Sequence, residues 1–236
     1  MAMIMAFFVA PLQLIVGHSH GENTMHHQPT KVAAMEGNWE TGPNKPLYLY
    51  AMPNRDTESN GDFTISVPNG ASWVLTGDAD GVVPGLKDVP ASERPPVAVV
   101  FWSFRVMVGL GMLMIFTGIV GALLYWRKAL FTNKLFHRWC VAMAPTGFLA
   151  VLAGWFVTEI GRQPYTVYGV LRTSEGVSNV AGEAMLVSLI VFIITYSLVF
   201  GAGVFYVLQL VRKGPQKPPK ASKQPIKAGV SGRMEP

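Results

Sequence analysis

The sequence has little charge and almost no cysteine. Only 14% of its 236 residues are charged, whereas 50% are hydrophobic. This composition excludes an ordinary water-soluble domain, in which about a quarter of the residues are charged. Cys140 is the single cysteine, so no disulfide can form within the chain. The long apolar runs contain no histidine, and the sequence has no internal repeat. Together these features indicate a membrane protein that is not a repeat array.

Three apolar runs are long enough to cross a bilayer. They cover residues 97–126, 139–158 and 184–211, and a spanning helix needs about 20 apolar residues. A fourth run, 1–16, is shorter and lacks the basic segment of a signal peptide. We interpret it as the end of a helix that begins upstream, and the chain as a C-terminal fragment. The predicted fold is an all-α, multi-pass transmembrane bundle with three full spans and the end of a fourth.

The charges between the runs predict the topology. The 127–138 connector holds four basic residues and no acid, and the 212–236 tail holds seven basic residues and one acid. The loop from 17 to 96 has ten acidic and five basic residues. Because basic loops stay in the cytoplasm, we place the connector and tail inside, and the 17–96 loop and the 159–183 connector outside. The Pro- and Lys-rich tail is expected to be disordered and to contact anionic lipid, not nucleic acid.

The outer loop is expected to carry local structure. Residues 28–41 favour a short helix, since residues 31–36 include good helix formers. Residues 63–67 and 72–76 read as two strands joined at Asn69-Gly70, a dipeptide that favours hairpin turns. A loop of this size cannot form an independent core. We therefore expect it to pack against the membrane domain or a partner subunit.

Two residues inside the first full span are candidates for cofactor chemistry. Arg105 lies within the run, and no acidic residue accompanies it there. It could extend to the outer interface or face an anionic cofactor group such as a haem propionate. Met107 would ordinarily fill the core, but beside a buried arginine it is also a candidate thioether ligand to haem iron. Two positions correspond to about 200° on a helix, so the two side chains should leave opposite faces.

A carboxylate and a guanidinium stand at the outer end of the second span. Glu159 follows the apolar run, and Arg162 comes three residues later. An ion pair at a helix end is one interpretation. The other is a functional site, because ionisable groups at a membrane boundary are costly to hold there.

The histidines suggest an alternative function. Four of them cluster in the outer loop: His18, His20, His26 and His27. Their spacing is not that of a zinc site, so solvated loop histidines are favoured over metal ligands. The alternative is a non-enzymatic structural or assembly protein of the membrane, with a metal-binding, histidine-rich loop.

Three ordered motifs resemble subunit I of the cytochrome bd quinol oxidases. They cover residues 28–41, 101–107 and 154–173, and the short outer loop is similar to the cyanide-insensitive, short Q-loop branch. The resemblance implies a bacterial inner-membrane enzyme that oxidises quinol at the periplasmic face and reduces O2 to water in aerobic respiration. It implies as partners subunit II, the remaining N-terminal half of subunit I and membrane lipid. The implied cofactors are haem b558, haem b595, and haem d or a b-type haem in its place.

The resemblance also assigns roles to residues of the first two motifs. Lys31 and Glu36 match the pair implicated in binding and oxidising quinol. They are five positions apart, about 140° on a helix, so they should not pair with each other. Met107 matches the axial ligand of haem b558, and Arg105 matches the arginine that stabilises its reduced form.

The third motif carries the remaining assignments. Glu159 matches an acid that carries protons near the b595/d haem pair. Arg162 belongs to the same signature. Tyr165 stands where the family usually has tryptophan. The histidines that ligate the haems in the family are not found in the spans of this chain. We therefore expect the chain alone not to turn over.

Overall fold

The computed structural model describes residues 2–177 and 180–214. The chain divides into two compact units after Val177. The basic tail assigned to 212–236 begins within the last helix, and its portion from 215 onward lies outside the described residues.

Helices dominate the described chain. Two antiparallel two-stranded ribbons accompany them: β1 (Leu47–Tyr50) pairs with β2 (Ile65–Val67), and β3 (Tyr165–Val167) pairs with β4 (Leu171–Arg172). Two 3-10 turns, Leu86–Asp88 and Ala91–Glu93, precede the first long inner helix. The α-helices are α1 Ala2–His27, α2 Pro29–Glu36, α3 Gly70–Thr76, α4 Val97–Trp126, α5 Lys134–Ala142, α6 Thr146–Ile160 and α7 Gly182–Lys213.

The helices confirm the predicted multi-pass architecture. Four segments are long and apolar enough to cross a membrane: Met3–His27, Val97–Trp126, Lys134–Ile160 and Gly182–Lys213. The last of these belongs to the second unit and forms one continuous helix. The other three belong to the first unit.

The first helix is longer than the sequence predicted. The 1–16 boundary is wrong, because α1 continues without interruption to His27. The segment from Gly17 onward is polar but contains no helix-breaking proline before Pro29, so the helix extends beyond its apolar part. The four clustered histidines are therefore helical, not loop residues, and His18 Nε2 lies 3.3 Å from a carboxylate oxygen of Glu22.

The predicted 139–158 span is two helices joined by a turn. Asn133 caps α5 by accepting a hydrogen bond from the Phe136 backbone N–H at 3.0 Å, so the helix starts before the apolar run. The ladder is interrupted before α6, where Pro145 has no N–H to donate. The apolar run alone therefore predicted neither where α5 begins nor the break between α5 and α6.

The predicted hairpin around Asn69 is also wrong. The β2 strand pairs with β1, and residues 70–76 form α3 instead of a second strand. Asn69 adopts a left-handed conformation (φ 57°) that ends the strand. The Lys45 carbonyl then accepts hydrogen bonds from the Ala71 and Ser72 N–H groups, so a distant segment overrides the local turn signal.

Small residues allow the membrane helices of the first unit to approach one another. A Cβ on Gly118 of α4 would lie 3.0 Å from the Phe7 Cα of α1. Further along α4, a Cβ on Gly121 would lie 3.0 Å from the Met3 sulfur. The start of α1 therefore lies against the end of α4, as alternating spans require. The main buried cluster lies at the start of α4 and the end of α6. It consists of Ala33, Ala34, Trp39, Leu86, Val97, Val100 and Val157.

Candidate functional site

The short helix α2 brings two ionisable residues into this buried cluster. It begins with Pro29 at its first turn and ends at Gly37, whose left-handed backbone (φ 67°) stops the helix. Lys31 is only 7% exposed and Glu36 only 4%. Burying such groups is costly unless they are paired or used. The cluster is therefore a candidate functional site.

Glu36 forms an ion pair with Arg105 of α4. Its Oε2 lies 2.7 Å from Nη2 of Arg105, whose Nε donates to the Tyr48 carbonyl. The guanidinium also lies 4.7 Å from the centre of the Phe101 ring. Neither interpretation of Arg105 anticipated this partner, a carboxylate from the outer loop. Sequence alone could not find that partner, because 69 positions separate the two residues.

Lys31 approaches the end of α6 and not Glu36. A Cβ on Gly161 would lie 3.0 Å from Cγ of Lys31, so the glycine makes room for the lysine stem. Burial lowers the pKa of the Lys31 ammonium, and the positive charge of Arg162 lowers it further, against a smaller opposing effect of Glu159. The lysine therefore releases its proton more readily than an exposed lysine.

Glu159 and Arg162 form an ion pair with each other. Both are partly exposed, and the geometry is that of a helix-end pair. Arg162 Nε is nevertheless buried without an acceptor in the described part of the chain, and Gln28 Oε1 is buried there without a donor. Native proteins rarely leave such atoms unpaired. The unpaired atoms favour a site that binds a polar group over a purely structural pair.

Met107 lies in the contact between α4 and α6. A Cβ on Gly154 would lie 2.9 Å from its sulfur, so the thioether faces the neighbouring helix and not the lipid. Arg105 leaves α4 toward β1 and α2, in agreement with the opposite faces predicted for the two residues. A thioether sulfur is a soft donor of the kind that can ligate haem iron.

Sequence reasoning missed the contacts made by the segment after α6. The Tyr168 hydroxyl lies 3.0 Å from Thr30 Oγ1, next to Lys31. Arg172 donates to Glu93 at 2.8 Å. Both Tyr168 and Arg172 lie in the 154–173 motif, but nothing in their local pattern indicates partners in the outer loop.

The clustered histidines do not form a metal site in the structure. Within residues 2–177 and 180–214, no group of three or more His, Cys, Asp or Glu side chains is placed to hold an ion. His137 directs Nε2 to the Leu130 carbonyl at 2.8 Å. The fold and the buried charges instead define a polytopic membrane protein that collects buried ionisable side chains at one end of the helices of its first unit.

Comparison with known proteins identifies the family. The chain belongs to the family of cytochrome bd terminal oxidase subunit I, which matches residues 1–215. It is 37% identical over 211 residues to cytochrome bd ubiquinol oxidase subunit 1 of Bacillus subtilis, covering 85% of this chain and 45% of that protein. It is 28% identical to cytochrome bd-II ubiquinol oxidase subunit 1 of Escherichia coli, covering 88% of this chain and 52% of that protein.

A solved structure gives the same result. The bd oxidase from Geobacillus thermodenitrificans matches with a TM-score of 0.73 and 30% identity, over 90% of this chain and 48% of that one. The chain thus spans about half the length of the relatives it matches. The family contains haem and resides in the bacterial cytoplasmic membrane. These matches confirm the resemblance seen in the motifs and favour an oxidase subunit over a structural protein with a metal-binding loop.

Proposed function

We propose that this chain contributes the quinol-oxidising region of a cytochrome bd-type quinol:oxygen oxidoreductase. The observation that carries the proposal is the burial of Lys31 and Glu36 on α2, against the start of α4 and the end of α6. Burying two ionisable side chains is costly unless they are paired or used, and in the described chain only Glu36 has an ion-pair partner. Oxidising a quinol requires groups that take protons from its hydroxyls.

Glu36 and Lys31 have complementary tasks in this proposal. The Glu36 carboxylate accepts a hydrogen bond from a quinol hydroxyl, and Arg105 fixes its orientation. Lys31, with its lowered pKa, can release a proton from Nζ to the periplasm and then accept the next one from the quinol. Gln28 Oε1, which is buried without a donor in the described chain, can accept from the second hydroxyl.

The haem-facing residues lie on α4 and just after α6. Met107 would hold haem b558 through its sulfur, and Arg162 Nε, which has no acceptor in the described chain, would donate to an acidic haem substituent. Glu159 would hold a proton near haem b595 and haem d, or a b-type haem in its place. Bound haem supplies one-electron transfer, and a methionine ligand raises its potential. Subunit II, the remaining half of subunit I and lipid complete the proposed assembly, with O2 as electron acceptor.

The proposal is tested by variants made at the native locus and assayed in native membranes. Lys31→Met and Glu36→Gln should each abolish most quinol-dependent oxygen uptake, normalised to the amount of chain in the membrane. Lys87→Met and Glu40→Gln are matched controls, because these residues form an exposed pair in the same loop. Rates of Lys31→Met and Glu36→Gln that equal those of the controls would refute the proposal.

A further inference from the structure

The β3–β4 ribbon is anchored to the outer loop at two points. Arg172 of β4 forms an ion pair with Glu93 at 2.8 Å. At the turn of the ribbon, the Tyr168 hydroxyl lies 3.0 Å from Thr30 Oγ1. Thr30 is buried in the first turn of α2. The ribbon therefore holds α2 at the position next to Lys31.

The ribbon is also tied to the Glu159–Arg162 pair. The Tyr165 backbone N–H donates to the Arg162 carbonyl at 3.1 Å, so β3 begins three residues after the arginine and is hydrogen-bonded to it. The stem of Lys31 packs on Gly161, one residue before that arginine. The Thr30–Tyr168 contact thus completes a closed ring of contacts that joins α2, the ribbon and the end of α6. Lys31 lies among these three elements.

We propose that Tyr168 is a positioning residue, whose hydroxyl acts through Thr30 to hold Lys31 against the Glu159–Arg162 pair. The phenol does not contact the reacting groups itself. It keeps the first turn of α2 from opening, and so keeps the ammonium group out of bulk water. The consequence for quinol oxidation rests on the function proposed above, whereas the positioning of Lys31 does not.

Two titratable groups on the helices packed against α2 have partners of their own. Arg105 of α4 is paired with Glu36 of α2. His27, at the end of α1, places Nδ1 2.9 Å from the Asn23 carbonyl. Glu159 and Arg162 are the charges that act on the lysine. Loss of the Tyr168 hydroxyl therefore changes the surroundings of Lys31 through the movement of α2, without removing a charge.

Chemical labelling of Lys31 measures its position without relying on oxidase activity. Native membranes are treated with an amine-acylating reagent, and the acylation rate of Lys31 is followed by peptide mass spectrometry. Lys87, which is 39% exposed, serves as the internal reference in the same sample. In Tyr168→Phe the Lys31 rate should rise about five-fold, which corresponds to the ~1 kcal/mol expected for one lost hydrogen bond.

Two further variants make the test specific. Thr30→Val removes the other partner of the bond and should raise the rate equally, and the double variant should show no further increase. Tyr165→Phe is the matched control. The Tyr165 ring stacks edge-on against Tyr168, but the Tyr165 hydroxyl makes no hydrogen bond within the described chain. The acylation rate of Lys31 in this variant should therefore equal that of the wild type.

The outcomes separate this proposal from the proposed function. An unchanged Lys31 rate in Tyr168→Phe, or an equal increase in Tyr165→Phe, would overturn the positioning role. A raised rate together with a raised KM for quinol and a nearly unchanged kcat supports both proposals. A raised rate with unchanged quinol kinetics supports the positioning role and contradicts the part of Lys31 in quinol oxidation.

Discussion

Glu36 and Arg105 join the outer loop to a membrane helix through a 2.7 Å ion pair. The carboxylate comes from α2 and the guanidinium from α4, and both side chains are almost completely buried, at 5% and 12% exposure. Breaking a buried pair leaves one charge without compensation, which costs more than the pair itself contributes. This contact is therefore central to the stability of the outer face.

The first prediction concerns that pair. Glu36→Ala should destabilise the chain by about 3 kcal/mol, because the Arg105 guanidinium stays buried without a carboxylate. The measurement is the thermal unfolding midpoint in detergent. Glu40→Ala is the matched control: it removes a glutamate that is 69% exposed in its pair with Lys87, and exposed pairs contribute little. Equal midpoints for the two variants would contradict the prediction.

Lys31 should make stability depend on pH. Because its folded-state pKa lies below the ordinary value of 10.5, the unfolded chain binds more protons between the two values. Its contribution to stability should therefore rise with pH across that window and be lost below the folded-state pKa. Lys31→Met should unfold at a higher temperature than the wild type at neutral pH, and the difference should shrink as the pH approaches 10.5.

The control for this prediction is Lys87→Met. Lys87 is an exposed lysine in the same outer loop, so its removal should not raise the unfolding midpoint at neutral pH. A Lys31→Met midpoint below that of the wild type at neutral pH would show that the ammonium is stabilising and that the argument from burial is incorrect.

Gly154 provides a test of the Met107 sulfur. In Gly154→Ala the new methyl group would lie 2.9 Å from that sulfur, and the flexible methionine end must move. If Met107 is an axial ligand, the α-band of the low-spin haem should weaken or shift in reduced-minus-oxidised spectra of native membranes. Met107→Leu should abolish that band. Gly147→Ala is the control on the same helix, since its nearest neighbour lies at 4.0 Å. Spectra identical in all three variants would exclude Met107 as a ligand.

Gly118 should be sensitive to any side chain. A Cβ there would lie 3.0 Å from Phe7 Cα and 3.1 Å from the Ala6 carbonyl carbon, and backbone atoms cannot rotate away. Gly118→Ala should cost about 1–3 kcal/mol through overpacking, measured as a lower unfolding midpoint. Gly109→Ala, on the same helix with nothing within 4 Å, should be neutral or slightly stabilising because alanine favours the helix. A destabilisation of the same size at Gly109 would contradict a role for α1–α4 packing.

The sequence predicted the helical membrane architecture because long apolar runs are a local property. It also predicted that Arg105 and Met107 leave opposite faces, since that follows from helical periodicity alone. It failed at α3 and at the extension of α1. In α3 the Lys45 carbonyl overrides a local turn preference. In α1 the helix continues through polar residues that no apolar pattern marks.

The candidate site was only partly predictable for the same reason. Its members were found as separate motifs, whereas their partnerships depend on the tertiary fold. Glu36 with Arg105 and Thr30 with Tyr168 are contacts between residues 69 and 138 positions apart. Only Glu159 and Arg162 are close enough in sequence for an ion pair to be proposed from spacing.

The 138-residue separation of Thr30 and Tyr168 has a consequence for biogenesis. During synthesis, α2 emerges from the ribosome long before its tyrosine partner exists. The segment that carries α2 must therefore wait, incompletely docked, until α6 and the residues after it have been synthesised and inserted. Chains halted before that point should show α2 open to added protease, and release of the complete chain should close it.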